Sequence, residues 1–443
     1  DIPKTGIGKR QRMLLRDRFL DGDVKPLATL GVEQRHGLPD QFHIMQWRPV
    51  PSAVEATSTP ACIRVTGESW PQLDDWFVTD PQAQSDGMVA IIAHRSTPSQ
   101  DHRSAAVTSV FEADRIRREV LTAAREHTTV VVLAEGLWPA DADSDPRGTG
   151  VPSSMLPGLL RSLDQEVEGT TVRLVVVDEP TAEAVTAEVL GSSTEPEVWL
   201  RGADRMIRRL TPVPPVTEIP DGIAMTSGVP DNGLVVVTGG LGGVAEAFRP
   251  RLLDRSGPVA FVGRRSVDEA NPWWPAGSAH YRQLDVCEPD AVRATLTELE
   301  ATTGAELAVV LHLAASYAEE DPGDPDVSLR SAMWNKVVGA GTLLDALAEW
   351  PRAQLVLASS VAGTLGAPGA AGYAAANSFC DGLVGLGPVP TRSIAWTMWH
   401  EVGMSSGYRR TQRTEDRGST VQSPDQAAAA TAHALGTAHR HLL

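Results

Sequence analysis

The run LVVVTGGLGGVAEAF, residues 234–248, admits few conformations. Its first part is apolar and β-branched, as a strand buried on both faces requires. Its last part is small and compatible with a helix. Between them Gly239, Gly242 and Gly243 supply a tight turn, and Ala245 is small enough to let the new helix pack back on the strand. Such a turn aims backbone N–H groups and the positive end of the helix at one spot, which suits a pyrophosphate. It also commits the chain to further parallel strands with crossover helices, which cover both faces of the sheet.

Those strands are readable. After the turn come VAFVGRR (259–265), HYRQLDV (280–286), LAVVLHLAA (307–315), AQLVLASS (353–360) and TRSIAWTMW (391–399). Helical runs such as DAVRATLTELEATTG and KVVGAGTLLDALAEW fill the gaps. An earlier series has FHIMQW (42–47), CIRV (62–65), MVAIIA (88–93), TVVVLA (129–134) and VRLVVVD (172–178). It includes a helix in VFEADRIRREVLTAARE, with Val110, Ile116, Val120 and Leu121 near one face, and a closing hairpin in VWLRGADRMIRRL (198–210). No strand of this series runs into a glycine-rich turn, so it reads as a nucleotide-type fold without the nucleotide site. The proline- and glycine-rich stretch 211–233 reads as a linker. The expected class is α/β, with a charged segment over 1–40, a first unit over 41–225, and a cofactor-binding unit with a doubly wound parallel sheet over 226–443.

Charge narrows the partners. Lys and Arg number 39 against 56 Asp and Glu, a net −17, which argues against nucleic acid or an anionic membrane. No apolar run approaches the roughly 20 residues that span a bilayer. Cys62, Cys287 and Cys380 are scattered without metal-ligand spacing; they read as small core residues, no metal is expected, and they fit a reducing cytoplasm. The chain begins at Asp1 and ends in an apolar run, so it reads as a piece of something longer.

Arg264 and Arg265 close the strand after the glycine turn, where the adenosine ribose of a dinucleotide would lie. Arginine there suits a 2′-phosphate, hence NADPH over NADH; the alternative is a solvated strand end. Asp285 ends the third strand, where it can accept from an adenine amino group or cap the next helix. Ser360, Tyr373 and Asn377 fall together in LASSVAGTLGAPGAAGYAAANSFCDGL. Carbonyl reduction needs a hydride donor and a proton donor at one carbon–oxygen bond. Tyr373 is the candidate proton donor. Ser360 is placed to hydrogen-bond the same oxygen, and Asn377 lies one helical turn beyond the tyrosine. Lys336, in WNKVVGAGTLL, is the candidate cation, since an adjacent ammonium favours a phenolate.

The motifs TGGLGG, GRR, LDV, HLAA, NKVVGA, SSVAG, GYAAAN and IAWTMW resemble the ketoreductase domains of modular polyketide synthases, within the short-chain dehydrogenase/reductase superfamily. Ordinary members place a lysine four residues after the tyrosine. Here that place is Asn377 and the lysine lies upstream at 336, the swapped arrangement that marks the modular ketoreductases. FHIMQWRPV, PGLLRSLDQEVEG, VRLVVVD and EVWLRGADRMIRRL are similar to that family's structural subdomain. The resemblance implies two Rossmann-like subdomains, a truncated structural one and a catalytic one. It implies NADPH held by Thr238, Gly239, Gly240, Leu241, Gly242, Gly243, Arg264, Arg265, Asp285, Val286 and Ala314, and catalysis by Tyr373, Ser360, Lys336 and Asn377. The implied substrate is an acyl thioester on the phosphopantetheine of an acyl carrier protein domain, reduced from keto to hydroxy.

Three departures remove the stereochemical label. SYAEEDPGD stands where one class has LDD, Leu365 stands where the other has a tryptophan, and Ala315 replaces the glycine of HAAG. The N-terminal DIPKTGIGKRQRMLLRDRF resembles the last motif of adenylate-forming ligases, with Lys9 as its carboxylate- and phosphate-contacting lysine. This implies a ligase domain ahead of the reductase. That order occurs in loading modules of polyketide synthases, including those that load a cyclohexene carboxylate, and in keto-acid modules of depsipeptide synthetases. Alternatives are therefore reduction of a ring starter at a carbon–carbon double bond, keto-acid reduction, and a redox-inactive docking or epimerising domain. The arginine-rich stretch 408–417 falls where the family has a mobile lid; it reads either as a site for a pantetheine phosphate or acidic carrier domain, or as a solvated lid. Trp273 and Trp274 read as surface packing.

Overall fold

The computed structural model describes residues 43–51, 63–67, 89–95, 99, 101–135, 151–191, 193–212, 229–266, 280–318, 321, 324, 326–399, 402, 422–436 and 441–442. The ligase-like N-terminus with Lys9, Cys62, the linker residues 213–228, Trp273 and Trp274, and the arginine-rich stretch 408–417 lie outside the described residues.

Two seven-stranded sheets organise the chain. The first contains β1 (His43–Val50), β2 (Ile63–Gly67), β3 (Val89–Arg95), β4 (Thr129–Glu135), β5 (Thr171–Asp178), β6 (Glu197–Arg201) and β7 (Asp204–Pro212), in the order β1-β7-β6-β5-β4-β3-β2. Strands β2 to β6 run parallel, as their apolar β-branched character demands. The expected hairpin is β6–β7, and β1 adds antiparallel to its outer edge. Helices α1 (His102–Ala123), α2 (Leu156–Glu166) and α3 (Ala182–Leu190) cover this sheet. Asp101 caps α1 by accepting from the Ser104 N–H at 2.6 Å.

The second sheet contains β8 (Leu234–Thr238), β9 (Val259–Gly263), β10 (His280–Gln283), β11 (Leu307–His312), β12 (Gln354–Ser360), β13 (Thr391–Trp396) and β14 (His441–Leu442), all parallel, in the order β10-β9-β8-β11-β12-β13-β14. Its helices are α4 (Gly243–Leu253), α5 (Pro289–Thr303), α6 (Arg330–Ala346), the short α7 (Ala362–Leu365), α8 (Ala371–Gly382) and α9 (Pro424–Gly436). Strand β8 lies between β9 and β11, so the strand order reverses at the glycine turn. In an open α/β sheet that reversal opens a crevice at the strands' C-terminal ends.

One apolar core runs through both units. It joins Val130, Val132 and Leu174 of the first sheet to Val236, Val310 and Leu357 of the second by way of α1, α2, α6 and α8. The four residues expected on one face of α1 are all in it. The approach of α2 to α8 is close enough that a Cβ on Gly158 would stand 2.2 Å from the carbonyl oxygen of Ala374. Separate apolar layers cover the outer faces, around Phe248, Trp396 and Trp399 on the second sheet and around Val185 and Ile207 on the first. Among the described residues no helix is long and apolar enough to cross a membrane.

Candidate active site

At the reversal point the glycine turn has the geometry its sequence anticipates. Gly239 has φ +66°, a left-handed conformation natural to glycine, and a Cβ there would lie 3.0 Å from the Ala314 backbone. Gly240 packs on β9, where its own Cβ would stand 2.6 Å from that of Phe261. Gly242 caps α4, which begins at Gly243, so the helix N-terminus opens on the turn. A cavity of about 210 Å³ lies here. Gly239, Leu241, Gly242, Arg264, Arg265 and Asp285 line it, as do Val286, Ala314, Ala315 and Asn335.

The candidate cofactor residues divide by what they touch. Arg265 donates to the Leu241 carbonyl, so it ties the strand end to the turn. Arg264 is exposed at the same lip. Asp285 does not cap α5: Glu288 occupies the cap position, without a side-chain bond, and Asp285 accepts from the Cys287 N–H at 3.0 Å. Thr238 is fully buried and holds the strand ends together. Its Oγ1 accepts from the N–H groups of Leu313 and Ala314, both at 3.1 Å. Its own proton is thereby left for Nδ1 of His312, at 2.8 Å, which makes Nε2 the protonated nitrogen, donating to the Lys336 carbonyl at 3.1 Å. Burial pushes the His312 pKa down to about 4, consistent with that neutral form.

Lys336 is 3% exposed. Its ammonium donates to the Ala358 carbonyl and to Oδ1 of Asn377, both at 2.7 Å. Asn377 is fully buried, and its Nδ2 donates to the Tyr373 carbonyl at 2.7 Å, one helical turn back on α8. Nζ stands 5.7 Å from the centroid of the Tyr373 ring. The four-residue spacing of Tyr373 and Asn377, and the emergence of Lys336 from α6 toward the end of β12, thus bring the three together. Ser360 ends β12, and its Oγ accepts from the Ala362 N–H at 3.3 Å at the start of α7. A carboxamide interposed between the ammonium and the tyrosine's helix satisfies the buried ammonium by a hydrogen bond and leaves its charge in place.

Three residues of the site escape sequence reasoning. Tyr317 meets the Tyr373 ring edge-on, centroids 5.6 Å apart. Asn335 lines the cleft and donates to Ser316 Oγ at 2.7 Å. Tyr281 also lines the cleft, its hydroxyl 2.5 Å from the Arg265 carbonyl. An aromatic or amide in a loop carries no periodic signal, so nothing but adjacency to LHLAA and NKVVGA marked Tyr317 and Asn335. The first unit also reaches in. Gln165 Nε2 donates to the Leu365 carbonyl at 2.8 Å, and Glu166 accepts from the Gly369 N–H at 2.7 Å, so α2 holds the segment leading to Tyr373.

A parallel sheet reversing at a glycine turn, with a helix N-terminus opening on it, defines the class: a doubly wound nucleotide-type fold with its crevice at the reversal. Comparison with known proteins narrows this. Residues 233–401 match the family model of the KR domain. A phenolphthiocerol/phthiocerol polyketide synthase of Mycobacterium tuberculosis (strain CDC 1551 / Oshkosh) is 28% identical over 346 residues, 74% of this chain and 18% of that protein. Erythronolide synthase EryA3 of Saccharopolyspora erythraea is 31% identical over 296 residues, 62% of this chain and 9% of that protein. The chain therefore spans less than a fifth of the length of these relatives. Among solved structures, A-type ketoreductases from a modular polyketide synthase overlay with TM-score 0.72 at 20% identity, covering 91% of this chain and 92% of that one. A keto acid-selecting NRPS module with adenylation, ketoreductase and pseudo Asub domains overlays with TM-score 0.73 at 18% identity, covering 100% of this chain and 42% of that one. Residues 233–401 match the KR domain, which makes this part of the chain an oxidoreductase of the short-chain dehydrogenase/reductase type.

Proposed function

We propose that the chain reduces the keto group of an acyl thioester carried on the phosphopantetheine of an acyl carrier protein domain, with NADPH as reductant. The observation that carries this reading is the hydrogen-bonded chain Lys336–Asn377–Tyr373 beside the glycine-lined cleft. Bound in that cleft, NADPH would supply the hydride. Gly239, Gly240 and Gly242 with Leu241 and the α4 N-terminus at Gly243 would receive its pyrophosphate, the exposed Arg264 and Arg265 its 2′-phosphate, and Asp285, Val286 and Ala314 the rest of the dinucleotide. Thr238 serves by holding Ala314 in place.

In this reading Tyr373 delivers the proton to the carbonyl oxygen and Ser360 donates a hydrogen bond to it. Lys336 places positive charge by the phenol ring, which stabilises negative charge as the proton leaves, and Asn377 holds the ammonium and the tyrosine's helix in register. The assignment of residues 41–225 as a structural unit and of 226–443 as the catalytic unit belongs to the same reading. So do a cytoplasmic setting and an adenylate-forming ligase domain ahead of the chain, as in a loading module. Burial pushes the thiols of Cys287 and Cys380 up to about 12, so neither is a reactive nucleophile.

NADPH consumption on a panel of 2-ketoacyl, 3-ketoacyl and cyclohexadiene carboxylate thioesters tests this, with Tyr373→Phe as control. The variant should lose about 10²- to 10⁴-fold in kcat, the range of a general acid, while still binding NADPH. Full activity in it would end the proton-donor assignment, and failure to bind NADPH by calorimetry would end the whole reading. The 2-ketoacyl arm has its own support. The solved module that overlays the whole chain is described as keto acid-selecting.

A further inference from the structure

One wall of the site is held from the other half of the chain. Between β11 and α6 the chain leaves the cleft at Ala314 and Ala315 and passes Ser316, bonded to Asn335. It then passes Tyr317, whose ring abuts Tyr373. Farther along, α1 grips it. Arg117, fully buried, donates from Nη1 to the Asp324 carbonyl at 2.5 Å and from Nη2 to the Asp321 carbonyl at 2.9 Å. One turn earlier, Asp114 accepts from the Leu329 N–H at 2.6 Å and the Ser328 hydroxyl at 2.9 Å. Another turn back, the ring of Phe111 lies 5.5 Å from the Arg330 guanidinium. These three residues of α1 are spaced i, i+3, i+6, one stripe along the helix.

The guanidinium does more than pack: it bonds the loop's carbonyls. Val110 and Ile116 are in the same core, and an apolar side chain would fill the place without burying a charge, which costs several kcal/mol. Its Nε has no hydrogen-bond partner among the described residues, while both terminal nitrogens point at carbonyls of this loop. We propose that Arg117 is a positioning residue for the reduction: through the loop it fixes Tyr317 against Tyr373 and so sets which acyl groups reach the tyrosine. The inference rests on the assignment of Tyr373 given above.

Arg117→Lys keeps the charge and the stem but not the planar fork. Asp114→Asn keeps the shape but loses one of two acceptors, and stands in should the lysine variant fail to fold. Both are to be assayed on a small and a bulky 3-ketoacyl thioester, with NADPH affinity measured separately. The expected result is a change of about tenfold or more in the ratio of kcat/KM between the two thioesters, carried mainly by KM, with NADPH affinity unchanged. An unmoved ratio in wild-type-like variants overturns the inference, and so does an equal loss on both thioesters accompanied by weaker NADPH binding. Wild-type protein that reduces no thioester overturns the functional reading itself, and this inference with it.

Discussion

Lys336 and Asn377 illustrate how far a residue's role depends on its partners. The ammonium donates to a backbone carbonyl and a carboxamide, and the carboxamide passes the constraint to the Tyr373 carbonyl. The four-residue spacing of Tyr373 and Asn377 was legible as one helical turn, whereas Lys336, 41 residues before Asn377, was joined to them through the family resemblance. That Lys336 would also receive a bond on its own carbonyl from His312 was not legible, since the two are 24 residues apart on different elements. Arg264 and Arg265 separate in the same way: both read alike in sequence, but Arg265 also pins Leu241. Replacing Arg264 by alanine should therefore raise the KM for NADPH by about 10- to 100-fold, the effect of one charge-assisted bond of about 1.5–3 kcal/mol, while the KM for NADH moves little. Steady-state kinetics with the two nucleotides checks it, and equal effects on both would remove Arg264 from 2′-phosphate recognition.

At the scale of elements, the strands announced themselves. Parallel strands buried on both faces must be runs of Val, Ile and Leu, and β3, β4, β5, β8 and β11 are. Helix α5 was equally plain, with Pro289 opening it and Gly304 closing it in a left-handed conformation. Strand β14, two residues long, has no pattern to read, and its pairing with β13 comes from tertiary placement alone. The same holds for the contact of α2 with α8, where a glycine in PGLLRSL looks like a blemish in a helix until Ala374 is found against it. Gly158→Ala should force α8 outward, with a loss of about 1–3 kcal/mol in unfolding free energy and a drop in kcat, because Tyr373 rides on that helix. Denaturant unfolding and kinetics on the same preparation test this, and a variant with unchanged midpoint and kcat would show that the two helices separate at no cost.

Across the whole molecule, the first unit works as a brace for the second. Helix α1 holds the loop before α6, and α2 holds the segment before α8. A charged contact joins the same two units: His102 Nδ1 lies 2.7 Å from Asp345 Oδ1, and Nε2 lies 3.2 Å from the Leu386 carbonyl. Both ring nitrogens face acceptors, so the imidazolium is the form that fits, and its hydrogen bond to Asp345 raises the pKa above 6.5. A histidine with a raised folded pKa stabilises below its unfolded value and loses that contribution as pH rises through the folded one. Stability should thus decline as pH rises above about 6.5. The decline should be smaller in His102→Gln, as read from denaturant midpoints at pH 6 and pH 8. Identical slopes in the two proteins would mean the pair contributes nothing to docking.

By itself the sequence determined the class of fold and the glycine turn, and it offered Ser360, Tyr373, Asn377 and Lys336 as the candidate set. The strands, the turn and the Tyr373–Asn377 spacing are written in local rules: apolar runs for buried strands, glycine where the backbone must turn, one helical turn between paired side chains. Only the tertiary structure decided that Thr238 is a buried strut and that Arg117 holds the carbonyls of Asp321 and Asp324 while Tyr317 meets Tyr373. Those relations join residues up to some 200 positions apart. They follow from which helix faces pack together, and no local period records that.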